Sequence, residues 1–199
     1  MDSIYGSHLP EMERIQKEIQ TCIDSLREKM KKESGMEPVE HCLSRIKSEE
    51  SMREKCLRKG LPVTTESALF KIHDAIGFRI VCAFLNDVYL IRDTLKSLDH
   101  YTVVEEKDYI RHVKPNGYRS LHLILHEEKG YYVEIQLRTI SMDTWAALEH
   151  QLKYKKNLSG NESLIVAELK SIADTLASTD ISMQTIRDAI QNRSYTDKI

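Results

Sequence analysis

The chain has 199 residues, 41% of them hydrophobic and 30% charged, with a formal net charge of −2, enough for one substantial domain plus appended helices. That near-neutral balance excludes a nucleic-acid binder working through bulk charge, so any phosphate recognition must come from local clusters. No apolar run is long enough to span a membrane, and the start Met1-Asp2-Ser3-Ile4 does not read as a signal peptide. Cys22, Cys42, Cys56 and Cys82 are scattered without metal or disulfide-scaffold spacing, which suits a reducing cytoplasm.

Met12, Ile15, Ile19, Cys22, Ile23, Leu26 and Met30 recur at three- and four-residue steps, so residues 11–32 read as an amphipathic helix. Pro10 suits its start, Lys31 and Lys32 its C-terminus, and Ser34-Gly35 its end. A basic run follows from Arg45 through Lys47, Ser51 and Lys55 to Arg58 and Lys59. Within it Ser48 reads as a helix N-cap, with Glu49 and Glu50 in the first turn and Gly60 and Pro62 as the stop. Lys47, Ser51 and Lys55 fall four residues apart and so line one face. That face reads either as a solvated helix surface with i,i+4 pairs or as an edge able to hold a polyphosphate.

Thr64 or Thr65 caps a short helix through Ile72, and Asp74-Ala75-Ile76-Gly77-Phe78-Arg79 then feeds a buried strand running to Phe84. Arg79 interrupts an otherwise apolar run, and a guanidinium in a central strand needs an anion or a stacking partner. His73-Asp74 is also the dipeptide of some metal phosphohydrolases, but those need further ligands on separate helices, and here it leads into a strand. Asn86 or Asp87 caps a helix carrying Val88, Leu90, Ile91, Leu95 and Leu98, and residues 101–110 form a strand of less regular alternation.

The chemistry concentrates in the hairpin that follows. Lys114-Pro115-Asn116-Gly117 is a turn by composition. After it Tyr118, Ser120 and His122 point one way, and Leu121, Leu123 and Leu125 the other. The second segment sets Glu134, Gln136 and Arg138 against Val133, Ile135 and Leu137. A half-solvated sheet face is usually Lys, Glu and Thr; this mix of aromatic, imidazole, carboxylate, amide and guanidinium reads as a site on a rigid sheet. Paired residues of antiparallel strands share a face, so the two polar sets coincide only across a loop of odd length. Glu128-Lys129-Gly130 as a three-residue loop, with Gly left-handed, then sets His122 opposite Gln136.

Ser141 reads as the cap of a helix with Trp145, Leu148 and Leu152 inward and Glu149 above Lys153. After Asn157-Leu158-Ser159-Gly160, two terminal helices are expected. One carries Ile165, Leu169, Ile172 and Leu176; the other, capped by Asp180, carries Met183, Ile186 and Ile190. Helices on a sheet of about five strands give an α/β (α+β) class.

Taken in order, Arg45-x-Lys47-Ser48 to Lys55, Asp74 to Arg79, Lys114 to His122, Val133-Glu134-Ile135-Gln136-Leu137-Arg138-Thr139 and Trp145 to Glu149-His150 resemble the synthetase domain of the RelA/SpoT family. The resemblance covers roughly residues 40–155, and the length is similar to that of the stand-alone small alarmone synthetases. It implies a nucleotidyltransferase-like mixed sheet spanning residues 38–157, behind an N-terminal helix (1–37) and ahead of oligomer-forming C-terminal helices (158–199). The implied reaction moves the β,γ-pyrophosphate of ATP to the 3′-hydroxyl of GDP or GTP, giving ppGpp or pppGpp and AMP in stringent-response signalling.

By the same resemblance, Asp74 holds Mg²⁺, and Glu134 takes the 3′-hydroxyl proton or shares the metal. Lys47, Ser51 and Lys55 neutralise the ATP phosphates, and Arg45 and Arg79 sandwich the adenine. Tyr118 stacks on guanine, Lys114, Asn116 and His122 contact the acceptor's sugar and phosphates, and Gln136 orients. Glu49 in place of a common Pro, and Ala75-Ile76 in place of Ile-Ala, are the departures; neither removes a functional group. The implied assembly is a homo-oligomer, a tetramer, with a second alarmone site and RNA as further partners to which no residues are assigned. The competing reading is a catalytically silent guanine-nucleotide or RNA-binding module. Two carboxylates, Asp74 and Glu134, weigh against it, because a binder of phosphates has little use for them.

Overall fold

The structure, a computed structural model, describes residues 3–154 and 162–196. Helix α1 (Leu9–Ser34) begins with Pro10 in its first turn and ends at Gly35, whose φ of 72° is the left-handed stop that glycine tolerates. Met12, Ile15, Ile19 and Ile23 of its stripe are fully buried in the same core as the sheet, so this helix is part of the domain's packing. The Glu149–Lys153 pair and the boundary at residues 157–158 lie outside the described residues or side chains.

Five strands form one mixed sheet in the order β1-β2-β5-β4-β3, with β1 Val39–Ile46, β2 Ile76–Cys82, β3 Tyr101–Asp108, β4 Leu121–Glu127 and β5 Tyr132–Thr139. Only β2 and β5 run parallel. One face is apolar: Ile76, Phe78 and Ile80 of β2 pair with Val133, Ile135 and Leu137 of β5, and Leu121, Leu123 and Leu125 of β4 continue the layer. Val88, Ile91 and Leu95 of α3 (Leu85–Lys96) join that core. The other face carries the polar set.

The β4–β5 hairpin has the expected register. His122 pairs with Gln136, and Gly130, at φ 103°, closes a three-residue loop by donating from its N–H to the Glu127 carbonyl. The irregular alternation of β3 is a bulge between Val103 and Glu105 that turns Val104 outward.

Several local expectations are corrected. Strand β1 was not expected, and it carries Arg45; the helix α2 (Glu49–Arg58) starts only after Ser48, whose hydroxyl accepts from the Ser51 N–H. Lys47 therefore precedes the helix rather than lying on its face. Helix α3 is capped from inside: the Asp87 carboxylate accepts from the Phe84 N–H. For α4 (Ile140–Tyr154) the cap is Thr139, whose hydroxyl accepts from the Met142 N–H, so Ser141 lies within the helix. Trp145 is buried, with its indole N–H donated to the Leu169 carbonyl, whereas Leu148 and Leu152 are exposed. The residues after 161 form one 35-residue helix, α5 (Glu162–Thr196), not two. No Gly or Pro interrupts it, and Thr175, Thr179, Ser182 and Thr185 turn their hydroxyls back onto carbonyls four residues earlier. Asp180 consequently caps nothing; its carboxylate accepts from the Thr139 hydroxyl at 2.6 Å.

Candidate active site

The polar face divides into two neighbouring clusters. The first gathers around Asp74, at the mouth of β2. Lys47, from the corner after β1, and Lys55, from α2, both direct their ammonium groups to the same carboxylate oxygen, Oδ2, with Lys47 at 3.0 Å. It is this shared carboxylate, not helical spacing, that brings the two lysines together, since only Lys55 is on the helix. Burial acts to raise the Asp74 pKa, but the two ammonium groups outweigh it and hold the carboxyl below its ordinary value. The other oxygen, Oδ1, is buried without a hydrogen-bond partner. Ser51, exposed on the first turn of α2, accepts a hydrogen bond from the Ser48 hydroxyl at 2.9 Å.

Asp74 and Glu134 line one cavity of about 200 Å³ together with Arg45, Gly77, Arg79 and Gln136. The sheet register explains the arrangement. Gly77 is paired with Arg45 on one side and with Glu134 on the other, so the side-chain-free glycine forms a floor between them. Arg79, two residues on, shares that face, and its Nε lies 3.7 Å from an Asp143 oxygen: the anion that a central-strand arginine requires. Gln136 donates to Glu134 Oε2 at 3.3 Å. Among the described residues no group of three or more His, Cys, Asp or Glu could hold a metal ion. Two carboxylates, one with a buried free oxygen, nonetheless suit Mg²⁺, which takes few protein ligands where phosphates and water complete its shell.

The second cluster is aromatic. The turn is closed by the Gly117 N–H donating to the Lys114 carbonyl, and Asn116 Oδ1 accepts from the Tyr118 N–H at 3.2 Å. Asn116 also donates to Glu149 of α4, at 3.2 Å. The Tyr118 ring carries the Lys114 ammonium at 4.9 Å and the Arg138 guanidinium at 5.4 Å from its centroid. Arg138 Nη2 donates to the Tyr118 hydroxyl at 3.0 Å, and that hydroxyl lies 2.8 Å from His122 Nε2. A guanidinium only donates, so the phenol's one proton is free to go to His122 Nε2, which then carries its own proton on Nδ1. Burial first, then the charges of Arg138, Lys114 and Lys107, push the His122 pKa down to about 4, so the ring is neutral at pH 7.

Ser120 is the exception in this strand. It is fully buried, preceding β4, and donates to the Leu137 carbonyl, so it supports the hairpin and does not face the site.

Three participants were given no role from the sequence. Tyr109 sits edge-on to His122 and Tyr118 and takes the Lys114 ammonium 4.2 Å above its ring. Arg138, expected on the hairpin's polar face with Glu134 and Gln136 but without a role, is buried and donates to Tyr118, to Gln136 at 3.0 Å and to Asp143 at 2.9 Å. Asp143 thereby touches both clusters, through Arg138 and Arg79.

Residues 44–159 match the family model described as the region found in RelA / SpoT proteins. The GTP pyrophosphokinase YwaC of Bacillus subtilis (strain 168) is 44% identical over 160 residues, covering 77% of this chain and 76% of that protein. Small alarmone synthetase 1 from Bacillus subtilis, solved bound to its product pppGpp, aligns with a TM-score of 0.76 at 30% identity, over 90% of this chain and 94% of that one. The same synthetase bound to AMPCPP aligns with a TM-score of 0.70 at 27% identity, over 91% and 94%.

Proposed function

The chain belongs to the RelA/SpoT family and is an alarmone-synthesising enzyme of the GTP pyrophosphokinase type, and we propose that it transfers the β,γ-pyrophosphate of ATP to the 3′-hydroxyl of GDP or GTP. The single observation that carries the reading is the convergence of Lys47 and Lys55 on one oxygen of Asp74, with the other oxygen free and Glu134 in the same cavity. Phosphoryl transfer needs cationic groups fixed where phosphate charge spreads and a base near the attacking hydroxyl, and the face offers both.

In this reading the acceptor's 3′-oxygen bonds to the β-phosphorus of ATP, the bond from that phosphorus to the α-phosphate oxygen breaks, and AMP leaves. Glu134 takes the hydroxyl proton, steadied by Gln136. Lys47, Lys55 and Ser51 hold the ATP phosphates, while Arg45 and Arg79 flank the adenine over Gly77. Tyr118 stacks on guanine, and Lys114, Asn116 and neutral His122 bind the acceptor's sugar and phosphates. Asp74 and Glu134 would hold Mg²⁺, which when bound neutralises phosphate charge.

The proposal extends to a cytoplasmic stringent-response signal as product and to a homotetramer. No described helix is long and apolar enough to cross a membrane. Exposed Ile172, Ile181, Met183, Ile186 and Ile190 on α5 support assembly through that helix, and solution mass at several concentrations tests it.

AMP release from ATP with GDP and Mg²⁺ tests the reaction, and absence of AMP from folded protein removes it. Glu134→Gln is expected to lose turnover and keep nucleotide binding; retained turnover would place the base elsewhere.

A further inference from the structure

The corner between β1 and α2 is tied down by residues that precede the family-matched segment. Tyr5 is 2% exposed, and its hydroxyl donates to the Lys47 carbonyl at 2.7 Å. Two residues earlier the Ser3 hydroxyl donates to Glu49 Oε1 at 2.6 Å, and the Ile4 N–H donates to Glu49 Oε2 at 3.0 Å. The Ser3 hydroxyl also accepts from the N–H groups of Tyr5, at 3.3 Å, and Gly6, at 3.1 Å, so the segment is folded on itself before it meets the corner. On the opposite side the Lys47 N–H donates to the carbonyl of Ala75, the neighbour of Asp74, at 2.8 Å. Both peptide groups of Lys47 are thus held, one by the Asp74 loop and one by Tyr5.

We propose that Tyr5 is a positioning residue for the ATP side of the site, its hydroxyl fixing the Lys47 main chain so that the ammonium group is aimed at Asp74 and the donor phosphates. The proposal rests on the reading of Lys47 as an ATP ligand. Packing alone does not call for the hydroxyl: Tyr5 lies in the hydrophobic core beside Ile4, where a phenyl ring would fill the same space. A buried phenol oxygen requires a partner, and here the partner is the one carbonyl next to a phosphate-binding lysine. Burial, and next to it the Asp74 carboxylate, raise the phenol's pKa, so the group remains a donor throughout the neutral range. A lysine stem that is anchored before ligand arrives loses less freedom on binding. Glu49 holds the other half of the tie, at the position where the chain departs from the family pattern.

The test is Tyr5→Phe in the full chain, with steady-state kinetics for each nucleotide and amide hydrogen exchange across residues 46–52. Loss of one buried hydrogen bond predicts a rise of about three- to tenfold in the KM for ATP. The KM for GDP should stay within about twofold, and exchange at the corner should accelerate. Glu49→Gln should move the KM for ATP the same way by less. Equal movement of both KM values, or unchanged exchange and unchanged KM for ATP, overturns the proposal. Should the wild-type chain release no AMP, the proposed reaction falls, and corner exchange together with ATP binding in the two proteins then decides Tyr5 separately.

Discussion

The two clusters of the site, proposed above as its donor and acceptor halves, are held together differently, the first by ion pairs and the second by a hydrogen-bonded aromatic network. Around Asp74, full charges face one another across a partly buried carboxylate, and one oxygen is left without a partner. Around Tyr118, a neutral imidazole, a phenol and an amide are joined by hydrogen bonds that start from the Arg138 guanidinium, and the Lys114 ammonium lies over the tyrosine ring with no ion-pair partner at that ring among the described residues. In the proposed reaction the first half exchanges its internal ion pairs for phosphates and a cation. In the same reading the second receives a ring and a sugar on a network already formed. Substitutions on the donor side should therefore act through charge, and those on the acceptor side through geometry.

The largest expected effect is at Asp74. Asp74→Asn keeps the shape but removes the charge that gathers Lys47 and Lys55, and turnover should fall on the order of 10³-fold, measured as AMP release. A loss below about tenfold would mean that the donor half works without its anion.

On the acceptor side, His122 supplies a stability test with a defined sign. Its folded-state pKa lies near 4, against an ordinary 6.5, because of burial and the facing cations Arg138 of β5, Lys114 of the turn and Lys107 of β3; Glu105 of β3 opposes them. Between those values the unfolded chain takes up a proton that the folded chain refuses. Stability from this residue is complete above pH 6.5 and lost as the pH falls towards 4, by about 3 kcal/mol at most. Urea unfolding of the wild type and His122→Gln at pH 7, 5.5 and 4.5 measures it: the variant's stability should depend less on pH across this window.

Gly117 carries the next effect. At φ 91°, a β-carbon there would stand 2.8 Å from Ala173 Cβ and 3.1 Å from Lys170 Cα, both on α5. Arg119, which donates to Asp174 of α5 at 2.7 Å, fastens the same turn. Gly117→Ala should cost about 2 kcal/mol in urea unfolding and raise the KM for GDP more than that for ATP. An equal rise in both would dissolve the division between the halves.

Much of this arrangement was legible in the sequence wherever a local rule fixed it. The odd-loop parity of the hairpin placed His122 opposite Gln136, and the stripe of α1 marked its buried face. What escaped depends on long-range packing. Strand β1 is an edge strand with a bulge and mostly exposed side chains, so it lacks the alternation that identifies a strand. The unbroken course of α5 was hidden by Asp180, which reads as a cap but accepts from Thr139, while its neighbour Thr179 bonds back within the helix. Nothing in a stretch ending 42 residues earlier could have tied Tyr5 to Lys47.

Arg138 gives the smallest effect and the finest test. Its fork reaches Tyr118, Gln136 and Asp143 at once, which a single ammonium on a flexible stem cannot reproduce. Arg138→Lys preserves the positive charge facing the half-buried Asp143, so the test removes the fork and not the charge. If the acceptor half works by geometry, the loss of the fork should still raise the KM for GDP about tenfold, the value of one charge-assisted hydrogen bond, with the KM for ATP within twofold. The readout is sharpened by Asp143, which also faces Arg79 at 3.7 Å. Should Arg138→Lys raise the KM for ATP as well, the two halves communicate through that carboxylate, and Asp143→Asn should then reproduce the joint effect.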